Sequence, residues 1–205
     1  TENHVYSKEM EHDACGVGVI ASTEGKKSRE IVEYGIEALK AVWHRGAVDA
    51  DGKTGDGAGI HVEIPKDFFI EKIEVTGHDY DNSEICVGMI FLPRNDYSSQ
   101  ESCKTIVESE LTKNNFSIYG WRQVPVNPKI LGEKAFQTMP EIIQVLFKPN
   151  DSNLIDKNLE RKIYETRKKI ENKAFELSLN NFYICSISSK SIIYKGLYLA
   201  EAISD

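Results

Sequence analysis

Cysteine is scarce and widely scattered in this 205-residue chain, with its four residues at positions 15, 86, 103 and 185. No Cys-x-x-Cys pair occurs and no His lies at ligand spacing from another His, so no metal site is expected. Exported disulfide scaffolds are smaller and denser in Cys, and a reducing, cytoplasmic compartment is the expectation. Long hydrophobic runs are also missing. Nothing approaches the roughly 20 apolar residues that span a bilayer, and residues 1–14 lack the apolar stretch of a secretory signal. Positive charge is in deficit, with 25 Lys and Arg against 32 Asp and Glu for a net −7. That balance argues against nucleic acid as a partner, which needs clustered basic residues. There is no internal repeat, low-complexity tract or linker. What remains is 40% hydrophobic and 28% charged, the composition of one globular domain able to bury a core.

The apolar run from Cys15 to Ala21 reads as a short buried strand. Ile31, Tyr34, Ala38, Val42 and Trp43 recur at helical spacing and predict an amphipathic helix over 28–43, capped by Ser28. Residues 44–59 dissolve into a loop with glycines at 46, 52, 55, 57 and 59, a density that implies positive φ or close backbone approach. Strands are expected at 60–64, 85–92, 120–125 and 142–147, and helices at 67–70 and 100–111. Asp156 reads as the cap of a long charged helix whose buried stripe is Leu159, Ile163, Ile170, Ala174 and Leu177. Residues 181–188 and 192–196 read as a hairpin across Ser189-Lys190. Cys86 and Cys185 belong in strands, and Cys103 in a helix, as small buried hydrophobes. The mixed order of elements predicts an α+β layered domain.

Two stretches invite a chemical reading. Thr54-Gly-Asp-Gly-Ala-Gly59 suggests a phosphate loop, yet Ile60 stands where Gly-x-Gly-x-x-Gly needs its third glycine, and Asp56 would repel the anion. Cys15 is the stronger candidate. Gly16 and Gly18 beside it let backbone approach a bound molecule, so that N–H groups face an oxyanion. A nucleophilic Cys needs a base, and an α-amine with a pKa of about 7.7–8.0 is roughly a tenth neutral at pH 7. If residues 1–14 were removed as a leader, the amine of Cys15 would serve as its own base.

With these residues in view, the chain resembles a known family. Cys15-Gly-Val-Gly-Val-Ile-Ala21, His44-Arg-Gly-Ala47, Asp49-Ala-Asp51 and Thr54-Gly-Asp-Gly-Ala-Gly-Ile60 with Pro65 look like the opening of the glutamate synthase large chain. That opening is a class II glutamine amidotransferase domain of the N-terminal nucleophile (Ntn) hydrolase type. Gly120-Trp-Arg122, Val124-Pro125, Leu131-Gly132, Arg161-Lys162, Tyr183-Ile-Cys-Ser186 and Tyr194-Lys-Gly196 continue the likeness in order. The resemblance implies a leader at 1–14, an amidotransferase segment at 15–205, and an incomplete four-layer α/β/β/α sandwich with an unpaired strand edge.

It further implies that Cys15 is the catalytic nucleophile on glutamine, with Gly16, Arg45 and Gly46 binding substrate or supporting the site. Arg45 either supports the nucleophile region or simply pins the glycine loop. Trp121 and Arg122 are read as packing residues. The released ammonia would serve reductive synthesis of glutamate from 2-oxoglutarate in the remainder of the synthase chain. FMN and an iron–sulfur cluster would be held there, with a reductase subunit as a possible partner. Cys86, Cys103 and Cys185 lack cluster spacing. The family's Arg-Phe-Ser-Thr stretch and Asn-Gly pair, which grip the glutamine carboxylate and complete the oxyanion hole, do not occur in these residues. The 205 residues alone are therefore expected to be inactive as a glutaminase. The alternative reading is a non-catalytic truncated fragment or binding remnant lacking the carboxylate clamp.

Overall fold

A computed structural model describes residues 16–42 and 47–204. They divide into two compact units. The first holds the described residues up to Gly59, Lys129–Ala135 and those from Lys195 onward; the second holds Ile60–Pro128 and Phe136–Tyr194. In chain order the elements are α1 (Arg29–Ala41), β1 (Ala58–Glu63), α2 (Lys66–Val75), β2 (Cys86–Leu92), α3 (Tyr97–Lys113) and β3 (Phe116–Gln123). They continue with α4 (Glu133–Thr138), β4 (Glu141–Pro149), α5 (Asp156–Glu176), β5 (Tyr183–Ser188) and β6 (Ser191–Gly196). This is a mixed α and β fold with antiparallel sheets, in keeping with the order of elements expected from the sequence.

The core of the second unit is a four-stranded sheet in the order β3-β4-β2-β5. β2 lies antiparallel between β4 and β5, with Gly88 facing Val145 on one side and Ile187 on the other. Because side chains alternate across a strand, each strand feeds both faces. Cys86, Ile90, Ile143, Val145 and Phe147 join Cys103, Ile106 and Val107 of α3 and Leu159, Ile163 and Ile170 of α5. Val87, Met89 and Leu146 turn the other way, to Phe69 and Ile73 of α2 and to Ile192 of β6. β1 and β6 form a separate two-stranded sheet. β2 reads as a continuous apolar run, and the apolar run of β4 is interrupted only by the buried Gln144, because both strands are covered on two faces.

The helices follow their caps. Ser28 Oγ accepts from Ile31 N at 3.4 Å and starts α1 as predicted. α3 begins three residues earlier than its apolar pattern, because Asp96 caps it by accepting from Ser99 N (3.0 Å) and Ser99 Oγ (2.6 Å). In α5, Leu159, Ile163, Ile170 and Ala174 are buried as expected, and Thr166 completes the stripe by bonding its hydroxyl to Lys162 O. Leu177 falls on the C-cap and stays exposed. Arg161–Glu165 and Arg167–Glu171 pair along the wet face. Arg167 also donates to Ile184 O at 2.8 Å, which occupies a carbonyl of outer strand β5.

Three expectations are corrected. Asp156 is the first helical residue of α5, not its cap; Ile155 holds the cap position with no side-chain bond, while Asp156 pairs with Lys190 at 3.1 Å. β5 and β6 are not a paired hairpin, since β5 joins β2 and β6 joins β1. Glu160 accepts from Ser188 Oγ, Ser189 N and Ser189 Oγ at 2.7–2.9 Å, fixing the turn where the chain passes between sheets. Finally, residues 16–21 form no strand and are exposed, with Val17 at 90% and Val19 at 85%. An apolar run becomes a strand only where another strand takes its N–H and C=O groups, and none among the described residues does so.

Trp121 and Arg122 do pack. Trp121 Nε1 donates to Glu108, while Arg122 donates to Gln144 Oε1 and lies 5.1 Å from the Phe68 ring centre. No helix among the described residues is long and apolar enough to cross a membrane.

Candidate functional site

The glycine-rich loop folds into a small closed hairpin. Val48 and Gly55 form an antiparallel bridge. Asp49 N donates to Thr54 O at 2.9 Å, and Asp56 N to Ala47 O at 3.3 Å. The turn is made by Gly52 N on Asp49 O at 2.9 Å, with Gly52 at φ +69°. Asp51 organises the return strand. Its Oδ1 accepts from Lys53 N (2.9 Å) and Thr54 N (2.7 Å), and its Oδ2 from Thr54 Oγ1 (2.6 Å). This is the local side-chain-to-backbone bonding that short Asp residues favour in turns. Gly55 meets the expectation of close approach, because a Cβ there would stand 2.7 Å from Tyr198 O.

Two carboxylates tie the hairpin to a segment about 80 residues later. Asp49 Oδ2 pairs with Lys134 Nζ at 2.5 Å, and the backbone N–H of Glu133 bonds to Asp51. Gly132 fits into the joint only because it lacks a side chain. A Cβ on it would collide with Asp51 Oδ2 and the Thr54 hydroxyl and lie 2.6 Å from Thr54 N. The bond from Lys134 holds the Asp49 carboxyl below its ordinary value and raises Lys134. The Thr54 hydroxyl, followed by the N–H groups of Thr54 and Lys53, lowers Asp51 to about 2.

A depressed carboxyl stabilises the folded form above its unfolded value, near about 4, and loses that contribution as pH falls through its folded value. The Asp51 bonds are thus expected to persist at pH 4 and to be lost only as the pH falls toward 2. Following the carboxyl signal by NMR should give a midpoint near about 2; a midpoint near about 4 would mean that the joint is open in solution.

Of the residues singled out in the sequence, Gly16 lies in the exposed irregular segment. Cys15, Arg45 and Gly46, with His44, lie outside the described residues. The other cysteines are poor chemical candidates. Cys86, Cys103 and Cys185 are buried thiols; burial pushes the Cys86 thiol well up and that of Cys103 to about 11. Thiols held protonated are inert as nucleophiles and as ligands. Among the described residues, no group of three or more His, Cys, Asp or Glu is placed to hold a metal ion. Asp51, Lys134 and the role of Gly132 do not stand out in the sequence by residue type. The Asp-x-x-Thr spacing of Asp51 and Thr54 is nonetheless a usable signal, of the same form as Asp96 and Ser99.

Residues 15–205 match the class II glutamine amidotransferases, and the chain belongs to that family of enzymes. Within it, the chain is 52% identical over 204 residues to the glutamate synthase [NADPH] large chain of Azospirillum brasilense, covering all of this chain and 13% of that one. Ferredoxin-dependent glutamate synthase 1 of Arabidopsis thaliana is 40% identical over 195 residues, covering 94% of this chain and 12% of its own. The enzyme of that type from Pyropia yezoensis is 40% identical over 198 residues, covering 93% and 12%. The chain therefore spans about an eighth of the length of these relatives. The alternative of a non-catalytic remnant is not favoured by this membership.

Proposed function

We propose that the chain is the glutaminase segment of a glutamate synthase, with residues 1–14 as a leader and 15–205 as the amidotransferase part. The observation that carries this reading is similarity along the whole chain to synthases, together with a family match that starts at residue 15. Cys15 is the nucleophile. Its sulfur attacks the side-chain amide carbon of glutamine while its α-amine, freed by loss of the leader, takes the thiol proton. Backbone N–H groups at Gly16 face the resulting oxyanion. The intermediate collapses to a thioester as the amine returns the proton to departing ammonia, and water then releases glutamate. Arg45 and Gly46 support the substrate side of this site.

These residues supply part of a four-layer α/β/β/α sandwich, and the protein works in the cytoplasm. Ammonia passes to the remainder of the synthase chain for amination of 2-oxoglutarate, with electrons delivered by a reductase partner. FMN and an iron–sulfur cluster supply electron transfer in that reductive step. Among the described residues no group of three or more His, Cys, Asp or Glu is placed to hold the iron of such a cluster, and the proposal puts both groups in the remainder of the synthase chain.

The test is the native full-length product. It is expected to begin at Cys15, to be several times longer than these residues, and to release ammonia from glutamine. A product that keeps residues before Cys15, or one that leaves glutamine intact, overturns the proposal.

A further inference from the structure

The hairpin and its exit into β1 contain the same dipeptide twice, as Asp51-Gly52 and Asp56-Gly57. This pair of residues has a chemistry of its own. A glycine carries no side chain to keep its nitrogen away from the preceding carboxyl group. Where that nitrogen reaches the Asp γ-carbon, a five-membered succinimide ring closes. Both aspartates and both glycines stand exposed, so access to water does not distinguish the two sites. Hydrogen bonding does. The Asp51 carboxylate accepts from Lys53 N, Thr54 N and Thr54 Oγ1 within 2.6–2.9 Å. The nitrogen that would attack it, Gly52 N, already donates to Asp49 O at 2.9 Å. At Asp56 it is the backbone N–H that is engaged, with Ala47 O at 3.3 Å. Among the described residues the Asp56 carboxyl has no hydrogen-bond or ion-pair partner, and the Gly57 N–H donates to no carbonyl. Gly57 also stands at φ +125°, backbone that a side chain would strain.

We propose that Asp56-Gly57 is a site of spontaneous conversion to isoaspartate, while Asp51-Gly52 in the same loop is held unreactive by its hydrogen bonds. The Gly57 nitrogen attacks the protonated Asp56 carboxyl. The N–Cγ bond forms, the Cγ–OH bond breaks, and the amide proton leaves with that hydroxyl as water. Water then opens the ring. Breaking the N–Cγ bond restores aspartate, whereas breaking the bond from Gly57 N to the Asp56 α-carbonyl routes the main chain through the side-chain carbon and frees an α-carboxylate. Water is lost and regained, so the step needs no oxidant, reductant or enzyme and leaves the mass unchanged. The main chain gains one carbon between the Val48–Gly55 bridge and the start of β1 at Ala58. At Asp51 the carboxyl held at about 2 reinforces the geometry. Its reactive acid form is present in about one molecule in 1,000 at pH 5, against roughly one in fifteen for an ordinary Asp. This chemistry belongs to the hairpin alone and is independent of the glutaminase reading.

The experiment holds the full-length protein at pH 5 in heavy-oxygen water and follows residues 51 and 56 by peptide mapping. Each ring opening writes a labelled oxygen into the residue, and isoaspartate separates from aspartate by retention. In the folded protein, label and isoaspartate at 56 are expected to exceed those at 51 by at least about tenfold. In urea, where the bonds to Asp51 are gone, the two dipeptides should convert at similar rates. Asp56→Glu, which would need a six-membered ring, should end conversion at 56. Thr54→Val, which removes the bond to Asp51 Oδ2, should raise conversion at 51. If Thr54→Val does not fold, the contrast between the folded and urea-held parent decides the matter. No label at 56 in the folded protein, or equal label at 51 and 56, overturns the inference. Neither result bears on ammonia release from glutamine, so the functional reading stands or falls separately.

Discussion

With Cys15 replaced by alanine, the full-length protein is expected to release ammonia from glutamine at least about 10⁴-fold more slowly than its parent. The size of the loss reflects what remains. On the proposed mechanism, alanine would leave substrate binding and oxyanion donors in place but remove the atom that would form the thioester, and the three described cysteines are buried in the core. A second substitution separates the thiol from its base. One residue fixed in front of Cys15 keeps the thiol and turns the α-amine into an amide without a basic lone pair, which should cost about 10²–10⁴-fold. The amine is suited to the task by its unperturbed pKa. An ordinary Lys is neutral in only about one molecule in 2,000 at pH 7, whereas the amine is roughly a tenth neutral. In the parent, kcat/KM should therefore rise with pH to a plateau above about 8. Full activity from the capped protein would show that another group carries the proton.

The candidate site is legible in the sequence as a set of residue types, and much less so as an arrangement. Cys15 with its glycine neighbours is chemically suggestive because a nucleophile beside permissive backbone is written in consecutive letters. The brace at Asp51 is harder to see. Half of it is local, an Asp three residues before a hydroxyl, and the same pattern at Asp96 shows that the signal exists. The other half is Gly132, whose missing side chain makes room for Asp51 and Thr54 from a distant part of the chain. A glycine required by a tertiary contact looks in sequence like any other glycine.

The fold follows the same division. β2 and β4 are recognisable because both are buried on two faces, and Pro140 and Pro149 bracket the apolar run of β4. The stripe of α5 is recognisable because a 3.6-residue period survives many intervening charges. What the sequence hides is the choice of partner. Two apolar runs separated by Ser189-Lys190 look like a hairpin, yet each finds its strand partner elsewhere, β5 in β2 and β6 in β1. The run at 15–21 has strand composition, but composition records a tendency to be buried and says nothing of which strand will supply hydrogen bonds. Residues 16–21 accordingly stand exposed.

Phe147→Ala is expected to destabilise the chain by about 3–5 kcal/mol, which is most of the stability of a marginal domain. Phe147 is fully buried in the central strand pairing of the sheet, opposite Cys86 of β2 and Ile118 of β3. Its ring meets that of Phe116 edge to face, with centres 5.3 Å apart. Truncation removes the transfer energy of the ring, leaves a cavity between α3, α5 and the sheet, and forfeits an aromatic pair worth about 0.5–1.5 kcal/mol. The chemically identical change at Phe175, a residue 83% exposed at the end of α5, should stay within about 0.5 kcal/mol of the parent. Urea unfolding of the two variants isolates burial as the cause, since the atoms deleted are the same. A double-mutant cycle with Phe116→Ala should return a coupling of about 0.5–1.5 kcal/mol. Equal losses at 147 and 175 would contradict the placement of this core, and a vanishing coupling would contradict the edge-to-face pair within it.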